Sequence, residues 1–359
     1  MLYCLYLLKP LFSPLNVFQY ITFRTAGAFL TALLLSLTSA PGIIRWLKAG
    51  KSHKVRQDTP SRHQAKLGTP SMGGLIIYLA MAGSCLLWAR LNDRFVLLYL
   101  MICTVLCVLG YVDDSLKASE TRKDGLTPPV KMGVQVLLAL GVAGYLYFDP
   151  PNAAYATSVG IPYSKEWFVH LGMFYIPFCM TVLVGTSNAV NLADGLDGLA
   201  CGTLIFSALT YGVFAYLAGH ARFSQYLHIV RVPGAGELTV VLASLVGACL
   251  GFLWYNAHPA EVFMGDTGSL FLGGAIGITA LCVKQELLLI VVGGIFVAEA
   301  ASVLLQVYSF RVHKRRIFKM APLHHHFEMI GWPESKVTIR FWIVAIILSL
   351  VALASLKLR

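Results

Sequence analysis

The sequence predicts an all-α integral membrane protein, with ten transmembrane helices in a single domain over residues 1–359. Three observations carry this reading. Hydrophobic residues make up 57% of the chain and charged residues only 13%, against about a quarter charged in a soluble domain. The apolar residues recur in runs of about 20, the length a helix needs to cross about 30 Å of hydrocarbon. Lys and Arg collect in a few of the loops between those runs, as membrane orientation requires.

Hydropathy places the spans at 22–44, 71–90, 95–112, 131–148, 168–190, 198–219, 237–255, 263–283, 286–310 and 339–357. The first twenty residues lack the basic n-region and A-x-A-like site of a signal peptide. They read as a short apolar segment lying at the interface. Ten spans put both termini on one side, and the basic loops choose it. Loop 45–70 carries Arg45, Lys48, Lys51, Lys54, Arg56, Arg62 and Lys66. Loop 113–131 carries Lys117, Arg122, Lys123 and Lys131. Loop 311–340 carries Arg311, Lys314, Arg315, Arg316, Lys319, Lys336 and Arg340. These hold well over half of the 28 Lys and Arg. The positive-inside rule makes their side cytoplasmic and both termini periplasmic. The formal net charge of +11 is mostly this signal, with a share left to attract phosphates and anionic lipid headgroups. No nucleic-acid motif and no internal repeat is present. The eight cysteines form no C-x-x-C pair. Cys85, Cys103, Cys107, Cys179 and Cys249 sit within apolar runs and read as packing residues.

The acidic residues are the functional signal. Asp113 and Asp114 close the third span in GYVDDSLK, Asp194 and Asp197 lie between the fifth and sixth, and Asp266 opens the eighth in VFMGDTGS. Under the topology above, all five fall at the cytoplasmic ends of helices. The loops after the fifth and seventh spans carry no Lys or Arg. They present Asn188, Asn191, Asp194, Asp197, Asn256, His258, Glu261 and Asp266 instead. Single aspartates there would read as helix caps. Five converging carboxylates repel, by about 4 kcal/mol per pair at 4 Å and an effective dielectric of 20, and a bound cation relieves that. Oxygen ligands with no nearby Cys favour Mg²⁺ or Mn²⁺ over zinc. Asp194 and Asp197 share a helical face. Gly195, Gly198, Gly265 and Gly268 permit close backbone approach, and the helix start at Asp266 suits a phosphate. The expectation is a Mg²⁺-dependent phosphoryl transfer at the cytoplasmic face.

Five segments carry a family resemblance: TPSMGG (69–74), GYVDDSLK (110–117), NAVNLADGLDGLA (188–200), FLWYNAHPAEVFMGDTGSL (252–270) and APLHHHFEMIGWPE (321–334). In this order, and through the ending LKLR, the chain resembles the phospho-N-acetylmuramoyl-pentapeptide transferase (translocase I) family. Several of the motifs are shared with the wider polyprenyl-phosphate hexosamine-1-phosphate transferases, and PLHHHFE is the one specific to the muramoyl-pentapeptide branch. The resemblance implies a ten-helix, homodimeric enzyme of the bacterial inner (cytoplasmic) membrane. It would transfer phospho-MurNAc-pentapeptide from UDP-MurNAc-pentapeptide to undecaprenyl phosphate, giving lipid I and UMP with Mg²⁺ as cofactor. Ala193 stands where the family usually has Thr, Ser115 where an aromatic is common, and Thr127-Pro128-Pro129 is unusual before Lys131.

Matched residue by residue, the resemblance makes Asp266 the Mg²⁺ ligand and gives Asp113 and Asp114 the acceptor phosphate. Either Asp113 helps deprotonate that phosphate for direct attack, or an aspartate acts as a covalent nucleophile. Direct attack fits the positioning and charge stabilisation typical of phosphoryl transfer. Lys66, Lys117 and Lys131 match basic positions that hold phosphates, although the positive-inside bias alone would also place lysines there. Ser71, Asn188, Asn191, Asp194 and Asn256 fall among the substrate-binding positions. Gly195, Leu196, Asp197 and Phe263 match a uridine pocket, and His324, His325 and His326 a nucleotide-sugar contact. Three consecutive histidines cannot converge on one zinc ion. His258 has no assigned role. Glu299, mid-span in FVAEAASV, has two open readings: it borders a lipid-entry groove, or it makes a buried interhelical hydrogen bond. A sister transferase using UDP-GlcNAc is the nearest alternative. A transporter is another, though its polar residues would sit near the bilayer midplane.

Overall fold

The computed structural model describes residues 1–49, 68–119, 124–164 and 166–358. The chain is mostly helical. Among the described residues, eight helices are long and apolar enough to cross a membrane. These are α1 (Ile21–Ala49), α3 (Arg94–Ala118), α4 (Pro128–Phe148), α5 (Tyr175–Ala193, extended by the turn before it), α6 (Leu199–Gly219), α8 (Gly236–Asn256), α11 (Gly294–His313) and α13 (Glu334–Ala354). Two further apolar helices are shorter, α2 (Gly74–Trp88) and α9 (Asp266–Cys282). Each of the ten expected spans thus has a helix, with shifted ends. The short helices α7 (Ala221–Tyr226), α10 (Leu289–Val292) and α12 (Leu323–Met329) complete the chain.

Two boundaries differ from the hydropathy reading for identifiable reasons. Residues expected to open the fifth span form strand β2 (Phe168–His170), paired antiparallel with β1 (Ser158–Gly160). Hydropathy does not separate a short β-hairpin from a helix end. The ninth expected span is broken at Gly293 into α10 and α11, where glycine lowers the cost of leaving helical geometry. Most of the basic loop 45–70, Lys66 included, lies outside the described residues. Before α1 the chain makes two 3-10 turns that expose Leu7, Leu11 and Phe12. All eight cysteines are free and all but Cys4 are buried.

Helix α9 forms the centre. From Thr267 to Cys282 every residue is buried, as expected of a helix apolar on all sides. It packs on α3 and α5, with α2 and α6 completing its surround, while α8 packs against α1, α6 and α2. Its 17 residues span about 25 Å, less than the hydrocarbon thickness. Small residues let its neighbours close in. A Cβ on Gly110 of α3 would lie 2.1 Å from the Asp266 carbonyl oxygen. Asp266 is therefore level with Gly110, about 12 Å below the end of α3. A short central helix between longer ones leaves a recess above its N-terminus. A buried bidentate ion pair, Arg24 to Glu237 at 2.6 and 2.7 Å, joins α1 to α8 elsewhere in the bundle.

Candidate active site

The recess is a cavity of about 360 Å³. Its walls come from the C-terminal end of α3 (Asp114, Lys117), the end of α5 and the turn after it (Asn191 to Asp197), Asn256, Ser71, and the segment Phe263–Asp266. The TPSMGG segment runs beside that last stretch. The Gly73 N–H donates to the Phe263 carbonyl (2.8 Å), and the Phe263 N–H donates to that of Pro70 (2.8 Å). This pairing delivers Ser71 to the wall. Gly265, at φ 72°, turns the chain into α9 where a Cβ would meet Asp114 Oδ2 at 2.5 Å and Ser71 Oγ at 2.6 Å. Only glycine suits both the dihedral and the space.

Asp266 is the first residue of α9. Asn191 fixes it, donating from Nδ2 to Asp266 Oδ1 (2.7 Å) and to Ser269 Oγ (2.7 Å). Asp266 Oδ2 faces two ammonium groups, Lys117 at 2.9 Å and Lys131 of α4. Lys117 Nζ also lies 2.6 Å from Asp113 and 3.8 Å from Asp114. Asp113, Asp114 and Asp266 each bring a carboxylate oxygen within 4.8 Å of the others. Asp113 is almost fully buried and accepts the Leu126 N–H at 2.8 Å. Asp114 Oδ2 accepts from the Thr267 N–H (2.9 Å) and from Thr267 Oγ1 (2.7 Å), an N-terminal cap supplied from another helix.

Across the cavity, burial pushes the Asp194 carboxyl up to about 8, helped by the negative charges of Asp266 and Asp114. Three carboxylates, those of Asp113, Asp114 and Asp266, thus face two ammonium groups, with the Asp194 carboxyl opposite. Lys117 already occupies a cation's position between three carboxylates, and the donor set is all oxygen. That arrangement is compatible with a divalent metal ion.

The expected uridine-pocket residues Gly195, Leu196, Asp197 and Phe263 all line the cavity, as do Ser71, Asn191, Asp194 and Asn256. Asn256 ties two walls together: its Oδ1 accepts the Gly198 N–H (3.1 Å) and its Nδ2 donates to the Val262 carbonyl (2.9 Å). Asn188 is turned instead to Gln135 and to the Val184 carbonyl. The three histidines are not among the cavity's lining residues. His324 is fully buried, its ring against Gly195, where a Cβ would meet Nε2 at 2.2 Å, and its Nδ1 is 3.3 Å from Glu299. His325 pairs with Glu328 (2.8 Å), and His326 Nδ1 accepts the Lys319 N–H (3.1 Å). Their rings thus meet three different partners.

The Glu299 carboxylate accepts the His324 backbone N–H (3.2 Å). Of its two readings, the interhelical hydrogen bond is the one this geometry contains. The apolar groove beside α11 is lined by Val297, Ala300, Ala301 and Leu304 from that helix, and the fully buried Glu299 is not among its lining residues.

Two participants were not legible in the sequence. The His258 ring lies with Nδ1 3.1 Å from Asp197 Oδ2 and 3.6 Å from Glu334 Oε2, and Glu334 Oε1 accepts the Asp197 N–H at 2.8 Å. This triad clamps the loop before Phe263 to the starts of α6 and α13. Glu334 sits about 140 residues from its partner, and only its place within the APLHHHFEMIGWPE segment hinted at a role. Thr267 gave no signal beyond following Asp266.

A helical, multi-pass membrane protein with a recessed, lysine-bridged carboxylate cavity has the architecture of a membrane enzyme for polyanionic substrates. A family model for glycosyl transferase family 4 matches residues 96–284, more than half of the chain. The chain is 51% identical over 358 residues to the phospho-N-acetylmuramoyl-pentapeptide-transferase of Solidesulfovibrio magneticus, covering 99% of each. It is likewise 51% identical over 358 residues to that of Citrifermentans bemidjiense, again covering 99% of each. It is 50% identical over 355 residues to that of Endomicrobium trichonymphae, covering 99% of this chain and 98% of that one. The chain belongs to the phospho-N-acetylmuramoyl-pentapeptide-transferase family and is a membrane transferase.

Proposed function

We propose that this enzyme transfers phospho-MurNAc-pentapeptide from UDP-MurNAc-pentapeptide to undecaprenyl phosphate. The products are lipid I and UMP, and this is the first membrane step of peptidoglycan synthesis. The observation that carries the reading is the Lys117–Asp266–Lys131 bridge at the floor of a cavity whose other wall is the Gly195–Asp197 turn and Phe263. Nucleotide on that wall would bring its diphosphate to the two ammonium groups. An acceptor phosphate oxygen then forms a bond to the β-phosphorus. The bond from that phosphorus to the bridging oxygen breaks, and UMP leaves with the electron pair.

The protein's part is positional and electrostatic. Lys117 and Lys131 neutralise phosphate oxygens, Asn191 orients Asp266, and Ser71 and Asn256 shape the nucleotide side. Asp266, with Asp113 and Asp114, would hold a Mg²⁺ ion, which supplies charge neutralisation at the transferring group. Asp113, buried and held by Lys117 and the Leu126 N–H, is placed to orient Lys117 near the acceptor phosphate, and that supports direct attack over a covalent intermediate. The proposal includes ten crossings, α2 and α9 among them, with both termini periplasmic and the cavity open to the cytoplasm of a bacterial cell. A homodimer is part of it.

The test is UMP release by the purified protein with undecaprenyl phosphate, comparing UDP-MurNAc-pentapeptide with UDP-GlcNAc, with and without Mg²⁺. Mg²⁺-dependent release confined to the muramoyl donor is expected. Preference for UDP-GlcNAc, or an aspartyl-linked phospho-sugar trapped on the enzyme, would overturn the substrate or the mechanism respectively.

A further inference from the structure

A second cavity, of about 560 Å³, lies at the C-terminal end of α11 and shares no lining residue with the first. The chain builds it deliberately. Lys314 ends α11 in the left-handed conformation, and the following segment folds back along the helix. Gln306 Oε1 accepts the N–H groups of Ile317 and Phe318, and its Nε2 donates to the Phe318 carbonyl. Ser309 Oγ donates to the Arg315 carbonyl at 2.8 Å. One wall is then Val303, Val307 and Phe310, spaced four and three residues apart and so on one face of α11. The mouth holds Arg311, Arg316 and Lys319, all exposed.

The two guanidinium groups have no carboxylate partner among the described residues, while Lys319 Nζ reaches only the Met329 carbonyl (3.3 Å). Orientation in the membrane accounts for cations near a span end. It does not account for a folded-back segment that sets three of them over an apolar wall. That wall belongs to the last turns of a helix apolar and long enough to cross a membrane, so on the proposed topology an acyl chain can reach it from the bilayer edge, whereas a water-soluble anion would leave it unused. A ligand matching both halves carries a phosphate and an acyl chain.

We infer that this cavity binds an anionic phospholipid of the surrounding bilayer. The headgroup phosphate is held by Arg311, Arg316 and Lys319, with guanidinium forks suited to two oxygens at once. One acyl chain lies along Val303, Val307 and Phe310.

The test uses the full-length protein, delipidated in neutral detergent, and native mass spectrometry with phosphatidylglycerol or phosphatidylcholine of identical chains. The wild type should retain phosphatidylglycerol about tenfold better, a screened share of what three cations near an anionic surface can give. The R311Q/R316Q/K319Q variant should retain both lipids equally. The charge-preserving R311K/R316K variant should keep the direction of the preference at reduced size, because an ammonium lacks the two-oxygen fork, and all three proteins should release UMP equally in detergent. Equal retention of the two lipids by the wild type would overturn the inference, as would an unchanged preference in the glutamine variant. Displacement of the lipid by inorganic phosphate would reassign the cavity to a simple anion. Displacement by UDP-MurNAc-pentapeptide would assign it to the donor's peptide carboxylates.

Discussion

Asp114 of α3 caps α9 through Thr267, taking both its backbone N–H (2.9 Å) and its hydroxyl (2.7 Å) on a single carboxylate oxygen. One of the two adjacent aspartates is thereby bound to the helix that carries Asp266, leaving its other oxygen toward Lys117. Thr267→Val removes one of the two bonds from a buried site and should cost about 1 kcal/mol of stability. Asp114→Asn should lose activity as well as stability. Thermal unfolding and UMP release on the same samples separate the two effects.

Lys117 and Lys131 converge on Asp266 Oδ2. Lys117→Met and Lys131→Met should each lower kcat by about 100-fold or more, the cost of removing one charge-stabilising donor. Asp266→Asn should abolish UMP release, and EDTA should do the same to the wild type until Mg²⁺ is restored. A Lys131→Met enzyme with wild-type kcat would remove that residue from the phosphate site.

The Asp194 carboxyl, pushed up from 3.8 to about 8, gives a pH dependence of definite sign. Between those values the unfolded chain has released this proton and the folded chain still holds it. Stability therefore falls as pH rises from about 4 to 8 and is independent of this group outside that window. A divalent cation in the cavity favours the carboxylate and should flatten the slope. Melting temperatures at pH 5, 6, 7 and 8, in EDTA and in Mg²⁺, with Asp194→Asn as control, would show it.

His258 bridges Asp197 and Glu334 and is not among the residues lining the cavity. His258→Ala should loosen the loop that presents Phe263, raising KM for the nucleotide donor by about tenfold with little change in kcat, the signature of lost ground-state binding. Steady-state kinetics in the donor at saturating lipid gives the split, and an equal fall in kcat would contradict a positioning role.

Gly110 has no room for a side chain against the Asp266 carbonyl. Gly110→Ala should displace α9 from α3, a penalty of about 1–3 kcal/mol by analogy with overpacked cores, with a matching loss of folded protein in size-exclusion profiles.

Sequence alone determined the helical membrane class and the approximate place of ten apolar segments, because a periodic run of about 20 apolar residues is a local property. It also led to the expectation that Asp113, Asp114, Asp194, Asp197 and Asp266 would gather at one end of the bundle, since helix-end positions and loop charge can be counted along the chain; the fold clusters the first two with Asp266 and lines one cavity with all but Asp113. Tertiary structure alone decided what each group does there. Only contact across helices shows that Asp114 holds Thr267, that Lys117 and Lys131 meet on Asp266, and that Asp197 leans on Glu334 from the far end of the chain. The same contact buries His324 behind Gly195 rather than opening it to the cavity, and turns Glu299 toward that helix rather than toward the groove. Residue type and spacing set which groups can reach one end of the bundle. Hydrogen-bond direction and close packing, which depend on partners 61 to 213 residues away, select which of them face the cavity.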